Sequence, residues 1–195
     1  NINNLSIVDG NSNTYGGGIE NEGILTIDNC IFSGNSANSS GNGYGGAVDN
    51  YQGTLTITNS TFYNNTSKSH GGAIGTYGGN TINVDNSTFD SNSSSIGGAI
   101  GQAQSTAVNL TITNCTINDN QASNIGGGIY WYDGDVNIDN STLSGNYAAN
   151  EGGALVDGTQ SLAINISSCT IVSNSATTSG GGIEMRTSTA NIKNT

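Results

Sequence analysis

Aliphatic residues recur along this chain in pairs two apart: Leu25 and Ile27, Leu55 and Ile57, Ile82 and Val84, Leu110 and Ile112, Val136 and Ile138, Ile164 and Ile166. Polar residues stand between and beside them, Thr26 and Asp28 in the first pair, Thr56 and Thr58 in the next. Alternation with a period of two, rich in β-branched residues, predicts a short strand with one face inward and one in water. An anchor residue follows each strand, at Asn4, Asn29, Asn59, Asn86, Asn114, Asn140, Ser168 and Asn194. The intervals are 25, 30, 27, 28, 26, 28 and 26 residues. A period of that length is the signature of a solenoid.

The other columns lock to the anchor. Three residues beyond it come Ile7, Phe32, Phe62, Phe89, Ile117, Leu143 and Ile171, a second inward strand position. Six residues beyond it come Asn35, Asn65, Asn92, Asn120, Asn146 and Asn174, with Gly10 in the first coil. A third strand follows a glycine pair, as in Gly45-Gly46-Ala47-Val48, Gly71-Gly72-Ala73-Ile74 and Gly97-Gly98-Ala99-Ile100. Glycine supplies a positive φ or a close backbone approach without steric cost. The corner asparagines of both columns, Asn29, Asn59, Asn86, Asn114 and Asn140 as well as the Asn35 series, are expected to turn their amides inward. There they would bond backbone groups and the amide one coil along. The fold class is therefore all-β: a right-handed single-stranded parallel β-helix of about seven coils, each with three short strands closing a triangular tube, over residues 1–195. Both ends stop in the same phase, Ile2-Asn3-Asn4 matching Ile192-Lys193-Asn194, so neighbouring coils of a longer parent protein are expected partners.

Composition alone suggests disorder, with 33% hydrophobic residues, 30 glycines and no proline; the periodicity overrides it. The absence of proline suits a chain whose strand N–H groups are all in ladders. A formal charge of -11 repels phosphate backbones and anionic headgroups, which excludes nucleic acid and the membrane surface as partners. No apolar run approaches the roughly 20 residues of a membrane span, so direct insertion is not expected. Cys30, Cys115 and Cys169 share the column just after the anchor but lie in coils too far apart for a disulfide, and are expected as small buried fillers.

The pairing of Gly71-Gly72-Ala73-Ile74 and Gly97-Gly98-Ala99-Ile100 with Phe32-Ser33-Gly34-Asn35, Phe62-Tyr63-Asn64-Asn65 and Phe89-Asp90-Ser91-Asn92 resembles the repeats of chlamydial-type polymorphic outer membrane proteins, and more broadly the adhesin-like β-helix proteins. Later coils depart from that pattern, with Ile117, Leu143 and Ile171 where Phe is expected. The resemblance implies an autotransporter-passenger-like segment, secreted or displayed at the cell surface, with a role in adhesion.

Chemistry is sparse. His70 is alone in a variable column and no nucleophile, base and acid set accompanies it. Asp28, Asp85 and Asp139 share one outward column in alternate coils, about 9.6 Å apart, near the upper carboxyl separation of inverting glycosidases. A polysaccharide lyase or hydrolase is thus the alternative reading, but Thr58 and Thr113 intervene and no basic cluster accompanies the acids. An ice-binding or purely structural solenoid is a further alternative; only Thr56-x-Thr58 and Thr111-x-Thr113 carry both threonines of a ladder. No cofactor is expected. Weak or structural calcium has candidate oxygens at Asp133 and Asp135 and at Glu20 and Glu22, none forming a full loop. Sequons at Asn59, Asn86, Asn114 and Asn140 coincide with the anchor and are expected to be inaccessible, leaving Asn38 as the exposed one. The recognition candidates are aromatic: Tyr51, Tyr77, Trp131 and Tyr132, in the connections after the third strand, suited to stacking on a carbohydrate or anchoring a surface protein. The expected function is noncatalytic, an extracellular adhesin or stalk segment.

Overall fold

The computed structural model describes residues 1–39, 43–79, 81–103 and 106–193, without the side chains of residues 159–162. Anchor Asn194 and the residues Gln104 and Ser105 lie outside the described residues. The chain winds into a right-handed parallel β-solenoid of about seven turns, every strand pairing in parallel with its equivalent one coil away. The register agrees with the sequence columns: Leu55 pairs with Ile82 and Ile57 with Val84, Phe62 pairs with Phe32 and Phe89, and Val48 with Ile74.

Each coil has three corners, and a left-handed residue stands at every one. The first is the anchor, with φ of 50° at Asn29, 51° at Asn59 and 46° at Asn86. The second immediately precedes the Asn35 series, with Gly34, Asn64, Ser91, Asp119 and Gly145 all at positive φ. The third is the first glycine of the glycine run: Gly45, Gly71, Gly97, Gly126 and Gly152. Left-handed backbone costs an ordinary L-residue roughly 1–2 kcal/mol, and Asn and Gly bear it best. The second glycine is required for a different reason. A Cβ on Gly46 would lie 2.1 Å from the Gly72 carbonyl oxygen, and one on Gly72 would lie 2.3 Å from that of Gly98.

The triangular section is as expected, with three parallel sheets, but except where strands merge each coil divides into four strands rather than three. In the second coil these are Ile24–Asp28, Ile31–Ser33, Ser36–Ala37 and Val48–Tyr51. The unexpected one, Ser36–Ala37, belongs to a seven-stranded sheet of its own. It is too short to show an alternation in the sequence. The glycine-led strand and the aliphatic-pair strand lie in line on one face, and in two coils they merge into single strands, Ile129–Asp139 and Leu155–Ser167.

The interior is a set of stacks. Phe32, Phe62 and Phe89 have ring centroids 4.7 and 5.0 Å apart and planes within 6° of parallel. Cys30, Cys115 and Cys169 are buried free thiols, as expected of fillers. The Asn35 series forms a buried ladder: Asn35 Nδ2 donates to Asn65 Oδ1 at 2.9 Å, Asn65 to Asn92 at 3.0 Å and Asn92 to Asn120 at 3.0 Å. Each Oδ1 also accepts the backbone N–H of the preceding rung, and each Nδ2 donates a second bond to a backbone carbonyl, such as Asn92 to Phe62. All four bonds of each interior amide are therefore satisfied without water.

The anchor asparagines correct the expectation. Asn29, Asn59, Asn86, Asn114 and Asn140 are exposed, and their amides form an outer chain with Asp28 and Asp85: Asn59 donates to Asp28, Asn86 to Asn59, Asn114 to Asp85 and Asn140 to Asn114. Asparagine is selected there by the left-handed backbone, not by burial. The sequons at Asn59, Asn86, Asn114 and Asn140 are accordingly on the surface, as Asn38 is.

These two columns should respond differently to mutation. Asn92→Ala removes four bonds and strands buried partners on both neighbouring coils, so urea unfolding should show a loss of roughly 3–5 kcal/mol. Asn86→Gly keeps the corner conformation and should change stability by less than about 1 kcal/mol.

Candidate functional site

Parity along the glycine-led strand decides which residues reach the surface. Val48, Ile74, Ile100, Ile129 and Leu155 are in the core, so the residues two places on also face inward. Those are Asn50, Thr76, Gln102, Trp131 and Asp157, all fully buried. They organise the connection that follows: Asn50 Nδ2 donates to the Gly53 carbonyl at 2.9 Å, Thr76 Oγ1 to that of Gly78 at 2.7 Å, and Gln102 Oε1 accepts from the Tyr132 and Asp133 N–H groups. Trp131 takes this inward place in its coil and donates Nε1–H to the Val108 carbonyl at 2.9 Å. With 0% of its surface exposed, Trp131 is a core residue and is removed from the recognition candidates.

The other three aromatics are divided. Tyr51 and Tyr77 point outward and pair in register on adjacent coils, their rings 5.9 Å apart and 12° from parallel. Tyr132 is half-buried, beyond the coil that carries Ala103, and stands apart from them. Two tyrosines from the column preceding the glycines complete the group. Tyr15 stacks on Tyr44 at 5.6 Å, and Tyr44 on Tyr77 at 6.3 Å. Tyr15, Tyr44, Tyr51 and Tyr77 line a groove of about 240 Å³. Tyr15 and Tyr44 are separated from Tyr51 and Tyr77 in sequence by the whole glycine-led strand, and the fold over that strand brings them together.

Asp49 lies between Tyr44 and Tyr51 in the chain but does not line the groove. It shares the outward side of its strand with Tyr51, yet 0% of its surface is exposed. Neither carboxylate oxygen has a hydrogen-bond partner among the described residues. The equivalent positions on the next two coils are Gly75 and Gly101, where a Cβ would lie 2.3 Å from the Gly45 nitrogen and 2.5 Å from the Gly71 nitrogen, so backbone closes over this column, and the equivalent on the preceding coil is Glu20. Burial, with Glu20 adding like charge, pushes the Asp49 carboxyl up to about 7. His70 closes this region on the third coil, its ring edge-on to Tyr44 at 5.3 Å and its Nδ1 paired with Ser69 Oγ at 2.8 Å. Burial depresses the His70 imidazole to about 4. It is therefore a half-buried packing partner of Tyr44, not the bland surface residue that its variable column suggests.

The remaining candidates are engaged elsewhere. Asp28 accepts from Thr58 Oγ1 at 2.6 Å and Asn59 at 2.8 Å, and Asp85 from Thr113 Oγ1 at 2.7 Å and Asn114 at 2.7 Å. These donors hold both carboxyls below the usual range. Asp139 accepts from Ser167 at 2.6 Å in the same way. The outward acids are thus rungs between coils, and they tie up the hydroxyls of Thr58 and Thr113, one threonine of each ladder pair. Asp135 accepts the Ala163 N–H at 3.1 Å, and no cluster of three or more His, Cys, Asp or Glu side chains suited to a metal occurs among the described residues. No helix among the described residues is long and apolar enough to cross a membrane.

A family model described as "Right handed beta helix region" matches residues 1–171. No curated protein and no solved structure matches the chain.

Asp49 and His70 should leave opposing marks on stability. Between pH 4 and 7 the folded chain keeps the Asp49 proton while the unfolded chain has lost it, so this group's contribution falls as pH rises, by on the order of 4 kcal/mol in all. The depressed imidazole of His70 acts with the other sign, its contribution being lost as pH falls from about 6.5 to about 4. Urea titrations of the wild type and of Asp49→Asn should therefore diverge steadily from pH 4 to pH 7, the variant gaining. A difference independent of pH would contradict the buried, unpaired carboxylate.

Proposed function

We propose, starting from the fact that this chain belongs to the right-handed beta helix family, that it is a noncatalytic, extracellular or cell-surface binding segment whose recognition element is the groove of Tyr15, Tyr44, Tyr51 and Tyr77. The family fixes a scaffold and no activity, so function has to be argued from the site. The observation that carries the reading is the convergence of four tyrosines in one groove on an otherwise polar tube.

Several features support this reading against catalysis and against a passive stalk. The outward acids that resemble a glycosidase pair already accept hydrogen bonds from Thr58, Asn59, Thr113 and Asn114, and so are held as rungs. The tyrosines come from places where the coil departs from its repeat, the usual position for recognition residues on a rigid array. Tyrosine presents a large apolar surface with a polar tip and loses little side-chain freedom when it binds. The adhesin-like resemblance of the glycine and phenylalanine repeats points the same way, to a ligand carried on a surface, as a glycan or a protein.

Screening the intact chain on arrays of surface glycans and surface proteins should give a ligand whose binding falls at least about tenfold in Tyr51→Ala and in Tyr77→Ala, a loss of about 1.4 kcal/mol or more. Tyr132→Ala should bind as the wild type does. Equal binding by all three variants would place recognition outside the groove.

A further inference from the structure

We infer that this chain is a substrate for N-linked glycosylation, with sugar attached to the side-chain amides of Asn64, Asn86 and Asn140. This goes beyond the proposed function and does not rest on the tyrosine groove, which lies along the glycine-led strand and away from the two corners that carry these residues.

Asn-x-Ser/Thr is the acceptor sequence of this chemistry, and the fold sorts its copies by access. Asn65-Thr66-Ser67 and Asn92-Ser93-Ser94 place the asparagine in the buried ladder, where its amide is fully engaged. Asn64-Asn65-Thr66, Asn86-Ser87-Thr88 and Asn140-Ser141-Thr142 place it at an exposed corner in the left-handed conformation, with φ of 54°, 46° and 46°. At each of these the middle residue is buried, so the asparagine and the threonine two places on both project from a convex edge. A transferase can then reach amide and hydroxyl together. Asn109 and Asn165 carry the sequence within strands, where Asn109 accepts the Asp135 N–H and Asn165 donates to Asn137. Asn4 and Asn38 have serine two places on, a hydroxyl without the branch that restricts its rotamer.

Hydrogen bonding narrows the choice along the anchor corner. Asn59 and Asn114 also precede Thr61 and Thr116 by two places, but each donates to a carboxylate, Asp28 at 2.8 Å and Asp85 at 2.7 Å, and each accepts from the asparagine one coil on. Asn86 and Asn140 donate only to a neutral amide oxygen, that of Asn59 and of Asn114, both at 2.7 Å. The Asn64 amide is engaged by no hydrogen bond among the described residues. Substitution at the amide nitrogen replaces one hydrogen and keeps the other, so the bond from Asn86 or Asn140 to the preceding coil survives. Asn86 and Asn140 are two coils apart, about 9.6 Å, which leaves room for a sugar on each.

The repeat does not itself require the pairing of asparagine with threonine. The column of Thr61, Thr88 and Thr142 accepts Ile31, two places after Asn29, and Thr170 in the same column follows Ser168. The column of Thr66 accepts Gln121 and Tyr147. The second corner accepts Gly34, Ser91 and Asp119 where Asn64 stands. The fold therefore has no need of the hydroxyl of Thr66, Thr88 or Thr142. Glycosyl transfer does. The step is a substitution at the anomeric carbon of a sugar diphosphate donor: the amide nitrogen forms the new C–N bond, the bond from that carbon to the diphosphate oxygen breaks, the diphosphate leaves with the electron pair, and a base of the transferase takes the displaced amide proton.

Mass spectrometry of the chain isolated from the cells that produce it, first intact and then as peptides, provides the test. The expected result is sugar on Asn64, Asn86 and Asn140, bare amides at Asn65 and Asn92, and occupancy at Asn59 and Asn114 several-fold below that at Asn86 and Asn140. Thr88→Val, made in the same cells, should abolish modification of Asn86 alone and leave the urea midpoint of the deglycosylated chain unchanged, since Ile31 occupies the same column. Thr88→Ser should keep Asn86 modified. Bare amides at Asn86 and Asn140 would overturn the inference, as would modification of Asn86 that survives Thr88→Val. Sugar on Asn65 or Asn92 would show that access in the folded chain does not select the sites, and equal occupancy all along the anchor corner would refute the selection by hydrogen bonding.

Discussion

Every feature of this molecule depends on direct vertical register: a residue bonds its own equivalent one coil away. The buried asparagine ladder shows the constraint most clearly. Asn65 accepts from the backbone and side-chain N–H of Asn35 and donates in turn to Asn92 and to the Phe32 carbonyl. A slip of one residue would bring Asn64 or Thr66 to the place of Asn65, break the alignment of the amides and leave their polar groups stranded in a dry interior. Hydrophobic stacking fills the tube, but it is tolerant of small shifts. The amides are not, and they fix the phase in which the apolar columns meet. A chain with so few large side chains needs such a device, because its core is narrow and each coil adds little apolar area.

The same register explains how a site arises on a repetitive scaffold. Each coil offers the same outward positions, so chemistry appears only where particular coils deviate together. Tyr51 and Tyr77 occupy one outward column on two adjacent coils, Tyr15 and Tyr44 occupy another, and Asp49 and Gly75 stand between them. No single coil contains the groove. The variable part is thus held to the accuracy of the invariant part, which is what a binding element on strands gains over one on a free loop.

Much of the fold was legible in the sequence, because a solenoid repeats its constraints. The columns of Leu25 and Ile27, of Phe32 and of Asn35 each recur often enough to be read through individual substitutions. What escaped had specific physical causes. Asparagine suits both a buried ladder and a left-handed corner, so residue type alone does not separate Asn92 inside from Asn86 outside. The strand Ser36–Ala37 has too few residues to alternate visibly. Trp131 was legible by parity, two places beyond Ile129, but its aromatic character in a variable segment argued the other way. Asp49 could not be found from its own surroundings in sequence. Its outward parity implies solvent, but the column is closed over by backbone, which on the next coil leaves no room for a Cβ at Gly75.

The glycine corner has a mechanical consequence. At Gly46, Gly72, Gly98 and Gly127 the backbone of one coil rests against the carbonyl of the next with no room for even a methyl group. The two asparagine-bearing corners interpose side chains whose torsions can yield. One edge of the tube is therefore an incompressible spine and the other two are softer, so a sideways load should flex the tube about the glycine edge, opening and closing the opposite face while the axial repeat along the spine stays constant.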